Sequence, residues 1–352
     1  MQAIVLILIW GSLLYSLLYL LPTADYVKGN FLASTLSTID DTFNKQTGIV
    51  NIVDGDGDLE GAVFHSGKDL DVYDIKMIPG KPEKIFAGTN HGLFVSRDKG
   101  SNWYQFSDAE HLIGPDAKVY KILFDSEGSG FVSVYGKGRG FIYESSDNFF
   151  SLDKIFEVEN EAVYDLAADE RNLYLGLSDG RLISYSTANN KFRTLSAFAS
   201  AITNLKVEKM GDLIFVAIKD DGFWVSENGG RDFAHREYLT DYKGAEKIQA
   251  FGVDTKRNNT IYAATDYGLI RSSDLGITWQ VFQTLPAEKP EMKALALIPN
   301  PGEIYAGSPE KIYKSIDYGQ SWQILEPVVG SREISVIAPL HDSDRIIVGT
   351  RR

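Results

Sequence analysis

One octapeptide pattern constrains this chain more than any other feature. Ser96-Arg-Asp98-Lys-Gly100-Ser-Asn-Trp103 recurs as Ser272, Asp274, Gly276 and Trp279, and again as Ser315, Asp317, Gly319 and Trp322. A fourth copy keeps Ser226 and Gly230, with Asn228 and Phe233 in the other two places. A fifth keeps Ser145 and Asp147 and carries Phe149 and Leu152 at the last two. Gly180-Arg-Leu-Ile-Ser184 is a sixth, degenerate copy. The serines at 96, 145, 184, 226, 272 and 315 are 49, 39, 42, 46 and 43 residues apart. Alternating apolar runs precede the boxes, as in Ile85-Phe-Ala-Gly-Thr89, Ile261-Tyr-Ala-Ala-Thr265 and Ile304-Tyr-Ala-Gly-Ser308. Four short antiparallel strands per unit of about 44 residues is the size of a propeller blade.

The residue types in the box suit a turn rather than a reaction. Aspartate accepts backbone N–H bonds inside a tight turn, glycine supplies a conformation other residues resist, and tryptophan covers an apolar seam between units. The pattern resembles the Asp-box (bacterial neuraminidase) repeat of sialidases, sortilin-type receptors, xyloglucanase-type glycosidases and photosystem II assembly factors, over roughly residues 47–352. The resemblance implies that each box sits between the third and fourth strands of a blade. It also implies that ligands meet the opposite face.

The chain ends bear on closure. Thr89, Thr265 and Ser308 each lie seven residues before a box serine, and Thr350 occupies the same place just before the end of the sequence. Gly48-Ile-Val-Asn-Ile52 aligns with Gly92-Leu-Phe-Val-Ser96. The expected fold is therefore all-β, a seven-bladed β-propeller in which N-terminal strands complete the last blade and remove a free sheet edge.

One N-terminal transmembrane helix is expected to precede it. Residues 3–21 carry no charge, and at about 1.5 Å per residue they come close to spanning a hydrocarbon core of about 30 Å. No basic stretch precedes the run and no good cleavage site follows it, unlike a secretory signal. Pro22 ends the span. After Asn30, the spacing of Phe31, Leu32, Leu36, Ile39 and Phe43 predicts a short amphipathic helix. The organisation expected is an anchor over 1–24, a linker over 25–46 and the propeller over 47–352, on the extracytoplasmic side.

Charge and composition exclude several classes. With 35 basic and 48 acidic residues the net charge is −13, the wrong sign for a phosphate backbone. No cysteine is present and the five histidines are scattered, so thiolate metal sites, iron–sulfur clusters and a cysteine nucleophile are absent. Asp54-Gly-Asp56-Gly-Asp58-Leu-Glu60 begins like a calcium loop, but lacks the sixth-position glycine and the twelfth-position carboxylate. It reads as an acidic hairpin. Gly136-Lys-Gly-Arg-Gly140 opens no helix and does not read as a phosphate loop. No catalytic residue, metal or cofactor is expected.

The expected partner face carries His91, Lys137, Arg139, Asp179, Arg181, Asp220, Asp221, Asp266, Tyr267, Glu310, Lys311, Arg351 and Arg352. Loops between blades add His111, Asp116, Asp241, Tyr242 and Arg332. The function expected is a membrane-anchored, non-enzymatic scaffold, an assembly factor or accessory subunit for integral or membrane-associated proteins. Among Asp-box proteins the chain is most similar to the photosystem II assembly-factor group in size, single propeller and want of a catalytic set. The alternative is a glycan-binding protein or glycoside hydrolase. That reading needs paired carboxylates, for which Asp116, Asp220, Asp221, Asp241 and Asp266 are the candidates. A structural subunit of an envelope machine is a third reading.

Overall fold

The second strand of each unit is apolar at nearly every position, and the fold explains why. In a computed structural model of the protein, Leu213–Ile218 and Thr260–Thr265 are buried along their whole length. Such strands lie between neighbouring blades and present both faces to a core. The described residues are 47–53, 63–65 and 69–352, apart from 109, 125–129, 148, 209–210, 237–241, 258–259, 287–289, 299–301, 328 and 341–344.

The strands form seven four-stranded antiparallel sheets. Six are uninterrupted runs of four consecutive strands: blade I (72–105), II (118–159), III (163–197), IV (202–235), V (248–281) and VI (294–325). The last is a composite of both chain ends, in the order Val63–His65, Thr47–Val53, Arg345–Arg351 and Glu333–Pro339. Ile52 stands opposite Ile346 in that sheet as Ser96 stands opposite Ile85 in blade I. The seven innermost strands neighbour one another in a closed circle, Glu333–Pro339 returning to Val72–Ile78.

One correction to the expected architecture follows. Six blades are complete local units. The remaining sheet is not a seventh copy of them, because it is assembled from segments almost 300 residues apart in sequence. Among the described residues there is no α-helix and none long and apolar enough to cross a membrane. The anchor, the amphipathic helix and the acidic run at Asp54, Asp56, Asp58 and Glu60 all lie outside the described residues.

Blades approach closely where the second strand carries its small residue. A Cβ on Gly88 would stand 2.5 Å from the carbonyl oxygen of Val119 in the next blade. Alanine already needs more room than that contact gives.

The boxes are turns whose bonds are short-range. Ser96 Oγ accepts the Gly100 N–H at 2.8 Å and donates to Asp98 Oδ1 at 2.8 Å. Asp98 Oδ1 in turn accepts the Asn102 N–H at 2.8 Å. Ser272, Asp274, Gly276 and Thr278 repeat these bonds, as do Ser315, Asp317, Gly319 and Ser321. Gly100 has φ 85° and follows Lys99 at φ 59°, so the turn needs two successive left-handed residues. Phe149 takes φ 65° in the glycine place of its copy, held there by a buried ring.

Trp103 and Trp279 are buried and donate to the Gly100 and Gly276 carbonyls at 3.0 Å. Trp279 meets Phe223 of blade IV edge-on, at 5.7 Å between ring centres. Trp322 differs. It is half-buried, packs edge-on against Phe282 and donates to Thr284 Oγ1 at 3.0 Å.

Candidate functional site: the central channel and its mouth

Three blades begin with the same tripeptide theme: Val72-Tyr73-Asp74, Val119-Tyr120-Lys121 and Val163-Tyr164-Asp165. The valines are buried in the blades. The register then slips, between Val72 and Asp74, Val119 and Lys121, and Val163 and Asp165. A bulge sets two residues against one and re-aims a side chain. Here it lets both the tyrosine and the following charged residue line the channel down the centre of the ring.

The three tyrosines form a ladder around one side of the upper channel. Tyr73 and Tyr120 lie 4.9 Å apart between ring centres, tilted, and Tyr120 and Tyr164 lie 5.0 Å apart, edge to face. Burial, with the nearby Asp71 carboxylate, pushes the Tyr73 phenol up to about 12, and burial also raises Tyr120. These two phenols are therefore neutral donors at physiological pH.

The other side is polar by a different route. Gln249 Nε2 donates to Asp266 Oδ1 at 2.9 Å. Lys293 Nζ stands 3.6 Å from the same oxygen and 2.9 Å from Glu291. The upper channel encloses about 410 Å³ and reaches Arg351.

Below the ladder sits a charged cluster on blades I to IV. Lys121 Nζ lies 2.9 Å from Asp165 and 3.9 Å from Asp74, and Lys76 lies 3.6 Å from Asp74. Each acid also accepts a backbone N–H from the next blade, Asp74 from Ile122 at 3.0 Å and Asp165 from Leu205 at 2.7 Å. Burial opposes the charge on Lys121, but Asp165 and Asp74 outweigh it and raise its pKa. The remaining arc is apolar, with Phe251, Leu295 and Ile337.

The loop residues read from sequence fall at the turns around this mouth, and most are engaged locally. Arg139 bridges Glu157 and Glu159 at 2.7 and 3.0 Å, Arg181 pairs with Asp179 at 2.6 Å and Lys311 with Glu326 at 2.7 Å. Asp221 accepts from Trp224 Nε1 at 3.1 Å, while exposed Lys137 and Asp220 occupy left-handed turn positions. Tyr267 packs tilted against Tyr242, 5.1 Å between ring centres. His91 is half-buried in the turn after Thr89, exposed His111 bonds Ser107 at 2.8 Å, and Glu310 and Asp116 are exposed. Asp241 is outside the described residues. Arg332 is not a surface group: it is buried and bonds Asp69, Asp71, the Leu70 carbonyl and Thr350. Arg352 joins the same knot through Asp69 at 2.7 Å.

Sequence reasoning missed the channel residues. The signal available was the repeated valine-tyrosine-charge tripeptide at 72, 119 and 163. Among the described residues no group of three metal-ligating side chains comes together.

No family model matches the chain, and no curated protein matches it. Solved structures do. YCF48 bound to D1 peptide aligns with a TM-score of 0.61 at 14% identity, covering 80% of this chain and 93% of that one. YCF48 from Cyanidioschyzon merolae gives 0.61 at 13%, covering 80% and 95%. The WD40 β-propeller domain of Doa1 gives 0.59 at 13%, covering 87% and 98%. These likenesses define the class of protein: a β-propeller.

Proposed function

We propose that this protein is a non-enzymatic interaction scaffold that holds a segment of a partner protein at the channel mouth. The observation that carries the reading is the ladder of Tyr73, Tyr120 and Tyr164 on three consecutive blades, facing the polar set of Gln249, Asp266 and Lys293. Aromatic surface beside fixed donors and acceptors is how proteins grip one another with few residues. The likeness to YCF48 bound to D1 peptide supports a peptide-like occupant.

The serine-aspartate-glycine turns support an Asp-box reading of the repeat. Residues 1–24 serve as the membrane anchor in this reading, with the propeller extracytoplasmic and its partners integral or membrane-associated proteins.

The test is partner capture by the full chain, cross-linked in its native membrane. Tyr120→Ala with Tyr164→Ala should lower capture by about tenfold or more, the behaviour of an interface anchor, with little change in melting temperature. Retained capture by that pair sinks the reading. So does a glycan array or glycosidase substrate panel on which the unmodified protein scores and the same pair of changes abolishes the signal.

A further inference from the structure

The lower half of the channel has a different chemistry from its mouth. It encloses about 810 Å³ between the ends of the inner strands, within the range of small-molecule sites. One wall is apolar and continuous: Phe251, Leu295, Leu297, Ile337 and Pro339. Blade IV, next to the strand that carries Phe251, contributes Lys206, which lines both the upper and the lower space and so stands at their junction.

Lys206 is the unanswered charge of the cluster. Lys76, Lys121 and Lys206 bring three ammonium groups, and Asp74 and Asp165 bring two carboxylates. Lys121 and Lys76 hold both of these acids. Among the described residues Lys206 makes no hydrogen bond or ion pair. Glu208 lies two residues on along the same wall and forms no ion pair with Lys206; burial pushes the Glu208 carboxyl above the usual range, and the charge on Lys206 offsets only part of that rise. A half-buried ammonium without a counter-ion is costly, and one anion would relieve it. A bare anion would leave the neighbouring apolar wall wet.

We propose that the lower channel is a binding site for an apolar monocarboxylate, its carboxylate paired with Lys206 and its hydrocarbon body laid along Phe251, Leu295, Leu297, Ile337 and Pro339. The site takes one negative charge because Lys206 is the ammonium that neither Asp74 nor Asp165 pairs with. It takes an apolar body because the apolar wall offers nothing polar to replace water. It is independent of the tyrosine ladder at the other end, so partner capture and carboxylate binding fail separately.

The experiment uses the full chain in lipid nanodiscs and reads each lysine by mass spectrometry after timed acetylation with acetic anhydride. Decanoate is the probe, with decanol and acetate as its two halves. Decanoate should slow acetylation of Lys206 by about tenfold or more and leave the other lysines unchanged, while decanol and acetate have no effect. Protection by acetate equal to that by decanoate overturns the apolar wall, and equal protection by decanol overturns the ion pair. As a second measurement, Lys206→Gln and Leu297→Asp should each weaken binding of radiolabelled decanoate about tenfold or more. Undiminished binding to a folded Lys206→Gln protein overturns the site.

Discussion

The guanidinium of Arg332 donates to the carboxylate of Asp71 across 2.6 Å, joining positions 261 residues apart. Asp71 also accepts the Arg352 N–H at 3.0 Å. The knot ties the strand entering blade I to the end of the composite sheet. It reinforces a closure that otherwise rests on the pairing of Thr47–Val53 with Arg345–Arg351.

Removing Arg332 should therefore act on stability, not on recognition. Arg332→Met leaves Asp69 and Asp71 facing each other without their shared cation, and losing one partner of a largely buried pair costs roughly 3 kcal/mol. The measurement is a denaturant melt beside partner capture. A normal melt with lost capture would return Arg332 to the binding face.

The three box tryptophans should not cost the same. Trp103→Ala and Trp279→Ala remove buried indoles from blade seams and should each destabilise by roughly 3–5 kcal/mol. Trp322 is half-buried and bonds a threonine hydroxyl in place of its own turn, so Trp322→Ala should cost clearly less. Equal losses in a set of melting curves would show that seam burial is not what ranks them.

The box carboxylates should be felt in acid. The Ser321 hydroxyl and N–H hold Asp317 down to about 2, and Ser151 does the same for Asp147. A carboxyl lower in the folded than in the unfolded chain stabilises above its ordinary value of 3.8, and that contribution is lost as pH falls toward 2. Asp317→Asn should flatten the decline in melting temperature between pH 4 and about 2. Parallel curves would mean the turn bonds do not depend on charge.

Lys206 should show a dependence of the same sign, in alkali. Burial, then repulsion from Lys121, pushes its amine from 10.5 down to about 8. Between those values the unfolded chain binds more protons than the folded one, so stability from this group rises with pH and is complete above 10.5. Lys206→Met removes that rise. The check is the difference in melting temperature between the two proteins from pH 7 to about 10.5, which should shift in favour of the unmodified protein.

The contrast between boxes and channel explains what the sequence could disclose. Ser96, Asp98 and Gly100 bond within four residues of each other, so their spacing is their structure. Ile52 was legible for the same reason, since the repeat fixes its slot opposite Ile346. The channel is built otherwise. Asp165 meets Lys121 of one blade and the Leu205 N–H of another, contacts that depend on ring closure. Bulges at the start of the inner strands also break the alternation by which a lining residue could be told from a core residue. Arg332 looked like a loop-tip charge because its partners lie at the far end of the chain.

The composite sheet has a consequence for synthesis. Among the described strands Thr47–Val53 emerges first and Arg345–Arg351 last, yet they pair with each other. At about 5–20 residues per second, roughly 15–60 s separate them on the ribosome. Throughout that interval the early strand has an unfilled hydrogen-bonding edge, open to strands of neighbouring nascent chains. Chaperone demand in this protein should thus concentrate on one short segment, Thr47–Val53, and end once Arg345–Arg351 has emerged to pair with it.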